Sequence, residues 1–321
     1  MNPSNAHTGA NPTPPARAGT RGSPLALVQT RGFLRLLAAV PGAGGGQEVI
    51  IATTGDAVQD RPLADIGGKG LFAKEIHEAL LDRRIDCAVH SLKDLETELP
   101  PGIVLGCTLK REDARDVLIL GDTCLTADPA DPLSALPQGA LVGTSSVRRQ
   151  AQLRHARPDL RVASIRGNVQ TRLRKLREGE CQASLLALAG LNRLGITVPN
   201  AVVLAPDIML PAAAQGIVGI TARTGDTALR ERLAIIEDPA SRAVGTAERA
   251  LLAALDGSCR TPIGAYARLT DGRLTLDGLV ARTDGSFLLR RSLTGAVSDA
   301  ARIGTELGAS LRAGAPADLF A

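Results

Sequence analysis

A strand–turn–helix pattern occurs three times between residues 141 and 193, and each time arginine follows the predicted strand. The strands are short, largely apolar stretches at 141–142, 161–165 and 184–188. In α/β sheets, ligands bind at the carboxyl ends of the strands. The pattern therefore predicts an α/β fold in which successive strand ends bring arginines to one binding site.

The first of these units leads into its helix through hydroxyl side chains. Thr144, Ser145 and Ser146 precede the predicted helix, and such residues are favoured at the N-cap. Arg148 and Arg149 then fall in the first helical turn, where the helix dipole disfavours a cation. We therefore expect an anion at this helix end, bound by free N–H groups and hydroxyls.

Positive charge is concentrated in the same part of the chain. Residues 148–177 contain nine arginines, one lysine and one acid, whereas the whole chain has 37 basic and 33 acidic residues. Genomic base composition could also produce many arginines, so we interpret those within the helices as solvated surface. At the strand–helix junctions, by contrast, we expect ligand binding by Arg148, Arg149 and Arg166.

The composition argues against several classes of protein. No apolar run approaches the ~20 residues that a membrane-spanning helix needs, and aromatic residues make up only 2% of the chain, too few to stack many bases. The cysteines are odd in number and lack a C-x-x-C motif, which predicts a reduced, cytoplasmic, metal-free protein. Residues 1–16 are rich in Asn, Pro, Thr, Ala and Gly and predict a disordered N-terminal extension.

Two further positions have the chemistry of a functional site. Asp94 follows the short apolar strand predicted at 85–90, so its carboxylate would lie at a strand end; a cap or an ion pair is an equal interpretation. Cys259 lies in a loop of small residues beside Arg260, and both exposure and a neighbouring cation favour the thiolate. An inert loop cysteine is the alternative there.

Local signals place the outer elements of the chain. Ser23 and Pro24 fit the N-cap and N1 positions of the first helix. Asp271-Gly272 and Asp284-Gly285 predict hairpin turns between three strands. The final third is therefore predicted to be an antiparallel sheet with helices, unlike the part that precedes it.

Several motifs, taken together and in this order, resemble those of the hydroxymethylbilane synthase family, also called porphobilinogen deaminase. The resemblance extends from about Ala18 to the C-terminus. Its motifs are Thr20-Arg21-Gly22-Ser23-Pro24-Leu25-Ala26, Gly67-Gly68-Lys69-Gly70-Leu71-Phe72, Ala88-Val89-His90-Ser91-Leu92-Lys93-Asp94, Arg111-Glu112-Asp113, Val142-Gly143-Thr144-Ser145-Ser146-Val147-Arg148-Arg149-Gln150, Arg166-Gly167-Asn168-Val169, Gln215-Gly216 and Cys259-Arg260-Thr261-Pro262-Ile263-Gly264.

The resemblance implies an α/β fold of three domains. The first two would be like the lobes of type II periplasmic binding proteins, and the third would be a small α+β domain with an antiparallel sheet that carries the cofactor. The predicted bounds are 17–110 plus 216–236 for domain 1, 111–215 for domain 2 and 239–321 for domain 3. The reaction implied is head-to-tail condensation of four porphobilinogen molecules with loss of ammonia, followed by hydrolytic release of linear hydroxymethylbilane.

The resemblance also implies a covalent dipyrromethane cofactor, made from the substrate and held by a thioether to Cys259. Asp94 matches the catalytic aspartate, which accepts hydrogen bonds from pyrrole N–H groups. Each pyrrole brings two carboxylates, which guanidinium groups bind bidentately. Further cofactor contacts match Ser23, Lys93, Thr144, Ser145, Ser146, Arg148 and Arg149. Substrate contacts match Arg21, Lys69, Phe72, Arg166, Arg172 and Arg193.

Three residues depart from the family's pattern. Asp65 stands where some members carry a second lysine before the glycine cluster, so we expect one cation fewer there. Glu96 stands where a proline often follows the Lys-Asp pair, so we expect a less restrained backbone after Asp94. Ala214 stands where glycine is usual, so we expect its turn to avoid positive φ.

An alternative is a non-catalytic polycarboxylate-binding protein of periplasmic-binding-protein-like fold. It would share the arginines but would have no use for Cys259. The basic stretch at 148–177 also suits nucleic acid, but predicted buried strands interrupt it and aromatics are few. We expect porphobilinogen as the small-molecule partner, neither nucleic acid nor a membrane, and a monomer.

Overall fold

The computed structural model describes residues 14–57, 73–124, 126–128, 130–256 and 261–320. The strands in these ranges form two mixed five-stranded sheets and one antiparallel three-stranded sheet. The α/β class and the antiparallel sheet of the final third are thereby confirmed. No helix in the described part of the chain has the length and apolar character to cross a bilayer.

The described elements follow the chain in this order. The strands are β1 (Ala16–Thr20), β2 (Gly46–Ile50), β3 (Cys87–Ser91), β4 (Ile103–Thr108), β5 (Asp116–Leu120), β6 (Leu141–Gly143), β7 (Arg161–Ala163), β8 (Ala183–Ala187), β9 (Ala201–Val203), β10 (Val218–Arg223), β11 (Ile263–Thr270), β12 (Arg273–Ala281) and β13 (Leu288–Ala296). The α-helices are α1 (Pro24–Ala38), α2 (Thr54–Ala57), α3 (Lys74–Leu81), α4 (Val147–Ala156), α5 (Val169–Arg177), α6 (Leu188–Leu194), α7 (Thr227–Ile235), α8 (Pro239–Ala254) and α9 (Ala300–Gly314).

The first sheet has the order β2-β1-β3-β10-β4, and it corrects the predicted extent of the N-terminal extension. Residues 1–16 were expected to be disordered, but Ala16 opens β1, is 6% exposed and donates its N–H to the Gly45 carbonyl at 3.1 Å. Residues 1–13 lie outside the described residues. Apolar periodicity does not predict this strand, because its residues other than Arg17 are small. Its backbone packs closely: a Cβ added to Gly19 would lie 2.3 Å from Ile85 Cδ1.

The second sheet has the order β7-β6-β8-β5-β9. Strand β6 is parallel to both β7 and β8, so their carboxyl ends meet at one edge, as the repeated pattern predicts. Strand β5 is antiparallel to β8 and begins with Asp116 opposite Ala187. The amino end of β5 therefore lies at the same edge as the carboxyl ends of the parallel strands.

The third sheet has the order β11-β12-β13, and its helices α8 and α9 bury a core of small and branched apolar residues. Asp271 and Gly272 have φ of +50° and +70°, and they connect β11 to β12 as the predicted two-residue hairpin turn. Glu248 of α8 is fully buried and pairs with Arg111 at 2.6 Å. This ion pair ties the third sheet to the segment that crosses between the first two.

The return crossing between the two large sheets contains an unexpected backbone conformation. Ala214 has φ of +61°, so the expectation that its turn avoids positive φ is wrong. The main-chain N–H of Ala214 donates to Glu248 at 2.5 Å, and the Arg111 guanidinium donates to the Gln215 carbonyl at 2.9 Å. Contacts of this kind hold a residue in a conformation that its Cβ disfavours.

Gly216 in this crossing should not tolerate a side chain. Its φ is +88°, and a Cβ would lie 2.3 Å from the Glu112 carbonyl oxygen. Gly179 has a similar φ of +77° with nothing within 4 Å of a Cβ. A substitution at Gly179 therefore measures the cost of positive φ without a steric clash. We expect Gly179→Ala to cost about 1 kcal/mol and Gly216→Ala to cost at least about 2 kcal/mol, measured by urea unfolding. Equal losses in the two variants would contradict the close backbone approach at Gly216.

Candidate active site

Asp94 lies where the sequence analysis expects it, at the carboxyl end of a buried strand. Strand β3 ends at Ser91 and continues into a short 3-10 turn, Leu92–Asp94. Arg21, Ser23 and Asp94 line the same cavity, so three of the predicted site residues are brought together. Ser23 also accepts the Ala26 N–H at 3.3 Å, which confirms its predicted capping role.

The hydroxyl residues after β6 build the loop that leads into α4. Ser146 accepts the Arg149 N–H at 3.4 Å and is the predicted N-cap. Thr144 Oγ1 accepts the Ser146 N–H at 3.2 Å, and Ser145 Oγ donates to the Ile165 carbonyl at 2.7 Å. These contacts place the loop beside the end of β7, where Arg166 is half-buried.

An anionic side chain of the chain itself lies beside Arg148 and Arg149, where it contacts their guanidinium groups. The expected anion at the N–H groups and hydroxyls of the helix end stays a prediction. Asp116, which the sequence analysis did not identify as a site residue, is fully buried between the two arginines, with N–O distances of 2.7 Å to each. The other Nη atom of Arg148 donates to Leu210 O at 2.5 Å, and that of Arg149 donates to Leu185 O at 2.8 Å. Both guanidinium groups are therefore held by internal partners.

Electrostatics keep this buried carboxylate charged. Burial by itself disfavours the charged form of Asp116, but the adjacent Arg148 and Arg149 outweigh it and hold the pKa of Asp116 well below its usual range. Gln215 adds a hydrogen bond from its side-chain amide at 2.9 Å. Its amide oxygen in turn accepts from the Lys93 ammonium at 3.3 Å.

Lys93 extends this network to the turn that contains Asp94. The residue as a whole is exposed, but its ammonium group contacts Gln215, which is 1% exposed. Burial of this end of the side chain lowers the pKa of Lys93, while the neighbouring Asp94 opposes the shift. A continuous chain of contacts thus leads from the Asp94 turn to the arginine pair on α4.

Arg172 lies on α5, the helix that follows β7, within electrostatic range of Asp94. Burial lowers the pKa of Arg172 to about 10, nearby Arg149 and Arg166 act in the same direction, and Asp94 opposes them. The Nε of Arg172 donates to the Gly167 carbonyl at 2.9 Å, which orients the guanidinium group. The structure therefore brings Arg172 within electrostatic range of Asp94 and close to Arg149 and Arg166.

The remaining predicted residues divide into two groups. Arg193 lies at the crossing segments, where its guanidinium donates to the Gly216 carbonyl at 2.6 Å. Lys69, Phe72 and Cys259 lie outside the described residues, as does Asp65, so the expectations for them stay predictions.

Comparison with known proteins identifies the family. The family described as "Porphobilinogen deaminase, dipyromethane cofactor binding domain" matches residues 16–231, and "Porphobilinogen deaminase, C-terminal domain" matches residues 243–313. The chain belongs to the porphobilinogen deaminase family. Porphobilinogen deaminase of Paracoccus denitrificans is 49% identical over 312 residues, which cover 97% of each chain. The chloroplastic porphobilinogen deaminase of Oryza sativa subsp. japonica is 51% identical over 284 residues, which cover 87% of this chain and 77% of that one.

Solved structures of other proteins align more distantly than these porphobilinogen deaminases. A Salmonella typhimurium periplasmic binding protein with high arginine specificity aligns with a TM-score of 0.38 and 10% identity, over 72% of this chain and 94% of that one. Family membership rests on the sequence matches, which include both the cofactor-binding region and the C-terminal domain.

Removing the buried charge of Asp116 should destabilise the protein strongly. We expect Asp116→Asn to cost about 3–5 kcal/mol, because two buried arginines lose their counter-charge. Asp318, whose side chain is 67% exposed, pairs with Arg282 at 2.8 Å and provides the control. Asp318→Asn should cost about 1 kcal/mol or less. Urea unfolding at pH 7 distinguishes the two variants.

The stability that Asp116 contributes to the folded protein should decrease as the pH is lowered. Its folded-state pKa lies below the unfolded value of about 3.9. The stabilisation is therefore complete above that unfolded value and is lost as the pH falls towards the folded-state pKa. The difference between the natural protein and Asp116→Asn should narrow progressively below about pH 4. A difference that stays constant down to pH 2 would contradict a charged, buried Asp116.

Proposed function

We propose that this protein acts as a hydroxymethylbilane synthase through Asp94 and the cations that surround it. In this reaction four porphobilinogen molecules are joined head to tail with loss of ammonia, and linear hydroxymethylbilane is released by hydrolysis. The activity is that of the porphobilinogen deaminase family, to which the chain belongs. The observation that supports the site is the position of Asp94 at a buried strand end, within electrostatic range of Arg172 on α5.

The residues present fit a dipyrromethane cofactor, the group named for the domain that matches residues 16–231. Pyrrole side chains carry carboxylates, and the cleft holds Arg149, Arg166 and Arg172 close enough to influence one another. When bound, the dipyrromethane supplies the pyrrole end to which new units are added. The residues that we propose hold it are Ser23, Lys93, Thr144, Ser145, Ser146, Arg148 and Arg149, with covalent attachment at Cys259.

Asp94 is the residue that we propose acts on the reacting atoms. Its carboxylate accepts hydrogen bonds from pyrrole N–H groups, which fixes the ring. Loss of ammonia from porphobilinogen leaves a cationic methylene–pyrrole, and a fixed negative charge beside it lowers the energy of the transition state. The surrounding arginines bind substrate carboxylates and leave Asp94 to face the cation. We assign substrate binding to Arg21, Lys69, Phe72, Arg166, Arg172 and Arg193.

The non-catalytic polycarboxylate-binding alternative is not favoured. Such a protein would share the arginine-lined cleft, but here the match to porphobilinogen deaminase continues through its C-terminal domain. The Paracoccus denitrificans relative is also matched over 97% of its length. The comparison therefore covers both the region that contains Asp94 and the arginines and the region that contains Cys259.

We further propose the domain organisation and the setting of the enzyme. Domain 1 contains 17–110 plus 216–236 and is extended to include Ala16, since β1 begins there; domain 2 is 111–215 and domain 3 is 239–321. Each of these units contains one of the three sheets. We propose a cytoplasmic monomer that acts on porphobilinogen without nucleic acid or a membrane.

Substitutions at Asp94 should separate charge from shape. Asp94→Asn keeps the shape and removes the charge, whereas Asp94→Glu keeps the charge and displaces it by a methylene. A displacement of roughly 1 Å can cost about 10²-fold in rate, and removal of the charge should lower kcat by at least about 10². We expect Asn to be the worse variant, with substrate binding much less affected because the arginines remain.

The test should use variants that carry the cofactor. Both are supplied with preformed dipyrromethane, loading is verified by intact-protein mass, and ammonia release is followed in a single turnover. An Asn variant as fast as the natural enzyme would refute the electrostatic role of Asp94. An Asn variant that is defective only in substrate binding would also refute that role.

The attachment of the cofactor to Cys259 can be measured directly. The purified protein should be heavier than its sequence by two linked pyrroles, and a digest should place the addition on the Cys259 peptide. Cys259→Ala should lose both the added mass and the activity. Cys87 and Cys107 are fully buried, so Cys107→Ala serves as a matched control that keeps both. An addition on any cysteine other than Cys259 would contradict the assignment.

A further inference from the structure

An arginine on α8, one of the helices that pack on the third sheet, forms hydrogen bonds with the segment that follows Asp94. Arg249 of α8 donates from Nη1 to the Leu95 carbonyl at 2.9 Å. Its Nη2 donates to the Glu96 carbonyl at 2.6 Å and to the Thr97 carbonyl at 3.2 Å. Three consecutive main-chain oxygens, directly after the catalytic residue, thus converge on one guanidinium group.

The same segment is held from its other side through a side chain. The Glu96 carboxylate lies 3.3 Å from Nδ1 of His77 on α3, and both side chains are mostly buried. The expectation that Glu96 leaves this backbone less restrained than a proline would is therefore wrong. The proline's rigidity is replaced by two tertiary contacts, one to α3 and one to α8.

Helix α8 also leads to the proposed attachment site. It ends at Ala254, five residues before Cys259. Leu92 of the catalytic turn belongs to the same apolar core as Val244 and Leu251 of α8, so the turn packs against this helix as well as bonding to it. The position of the Asp94 turn is thus tied to the helix that precedes the Cys259 loop.

We propose that Arg249 is a positioning residue for the reaction: it fixes the Asp94 turn relative to the helix that leads to Cys259. The inference rests on the proposed function, because it interprets the contacts of Arg249 as a support for catalysis at Asp94. The planar guanidinium group suits this task, since its rigid arrangement of donors can serve several carbonyls at once. An ammonium group is a compact point charge and lacks that geometry.

Arg242 provides a matched control on the same helix. It lies seven residues before Arg249, about two helical turns. It too bonds to the first sheet, donating to the Leu105 carbonyl at 3.2 Å, and it pairs with Glu237 at 2.8 Å. It makes no hydrogen bond to the Asp94 segment among the described residues. Arg242→Gln therefore removes a comparable contact without releasing the catalytic turn.

We expect Arg249→Gln to lower kcat by about 10-fold to 100-fold with little change in KM, because a displacement of roughly 1 Å has effects of that size. Arg242→Gln should keep the natural kcat. Intact mass should show two linked pyrroles on both variants. Arg249→Lys keeps the charge without the planar donors, so it should also be slow, and it replaces the Gln variant if that one fails to fold.

A double-mutant cycle separates positioning from general destabilisation. If Arg249 acts through Asp94, the Arg249→Gln change should slow the natural enzyme but cost little more in the Asp94→Asn background. Amide hydrogen exchange of residues 92–98 in cofactor-free protein provides a readout independent of activity. Exchange there should rise in Arg249→Gln and stay unchanged in Arg242→Gln.

The outcomes distinguish this inference from the proposed function. Equal rate losses in both Asp94 backgrounds, equal losses in the two arginine variants, or a natural kcat in Arg249→Gln and Arg249→Lys would each overturn the positioning role. A failure of the proposed function would instead leave the natural protein without attached pyrroles and unable to consume porphobilinogen.

Discussion

Asp116 and its partners are the electrostatic centre on which the cleft depends. The buried carboxylate takes hydrogen bonds or ion pairs from Arg148, Arg149 and Gln215, and these residues come from a helix and a crossing segment far apart in sequence. Two guanidinium groups can be buried there only because an anion is buried with them. The cations at this strand edge are therefore held in position before any ligand arrives, which reduces the reorganisation needed when one binds.

This arrangement separates two kinds of arginine within one basic stretch. Arg148 and Arg149 are engaged by Asp116, so a cofactor carboxylate would have to share them with it. Arg172 instead lies within electrostatic range of Asp94, which favours the charged form of Arg172. The internal network through Gln215 and Lys93 connects the two regions, while α8 approaches the Asp94 turn from the third sheet.

Local sequence signals predicted the elements that depend on neighbouring residues alone. Ser23 and Ser146 cap their helices because a side-chain oxygen reaches an N–H three residues ahead. Asp271-Gly272 forms its hairpin because both residues accept positive φ. Strand β1 is not predictable in this way: its residues other than Arg17 are small and show no apolar periodicity, and distant residues such as Ile85 pack against it.

The sequence by itself determined the α/β class, the strand ends that carry arginine and the position of Asp94, because periodicity, capping and motif order are written in consecutive residues. Tertiary structure alone decided that Asp116 is the partner of the arginine pair. An antiparallel β5 places the first residue of one strand beside the ends of others, and strand direction is set by distant pairing. Tertiary structure likewise decided that Ala214 adopts positive φ, since Glu248 and Arg111, which hold the turn, come from distant segments.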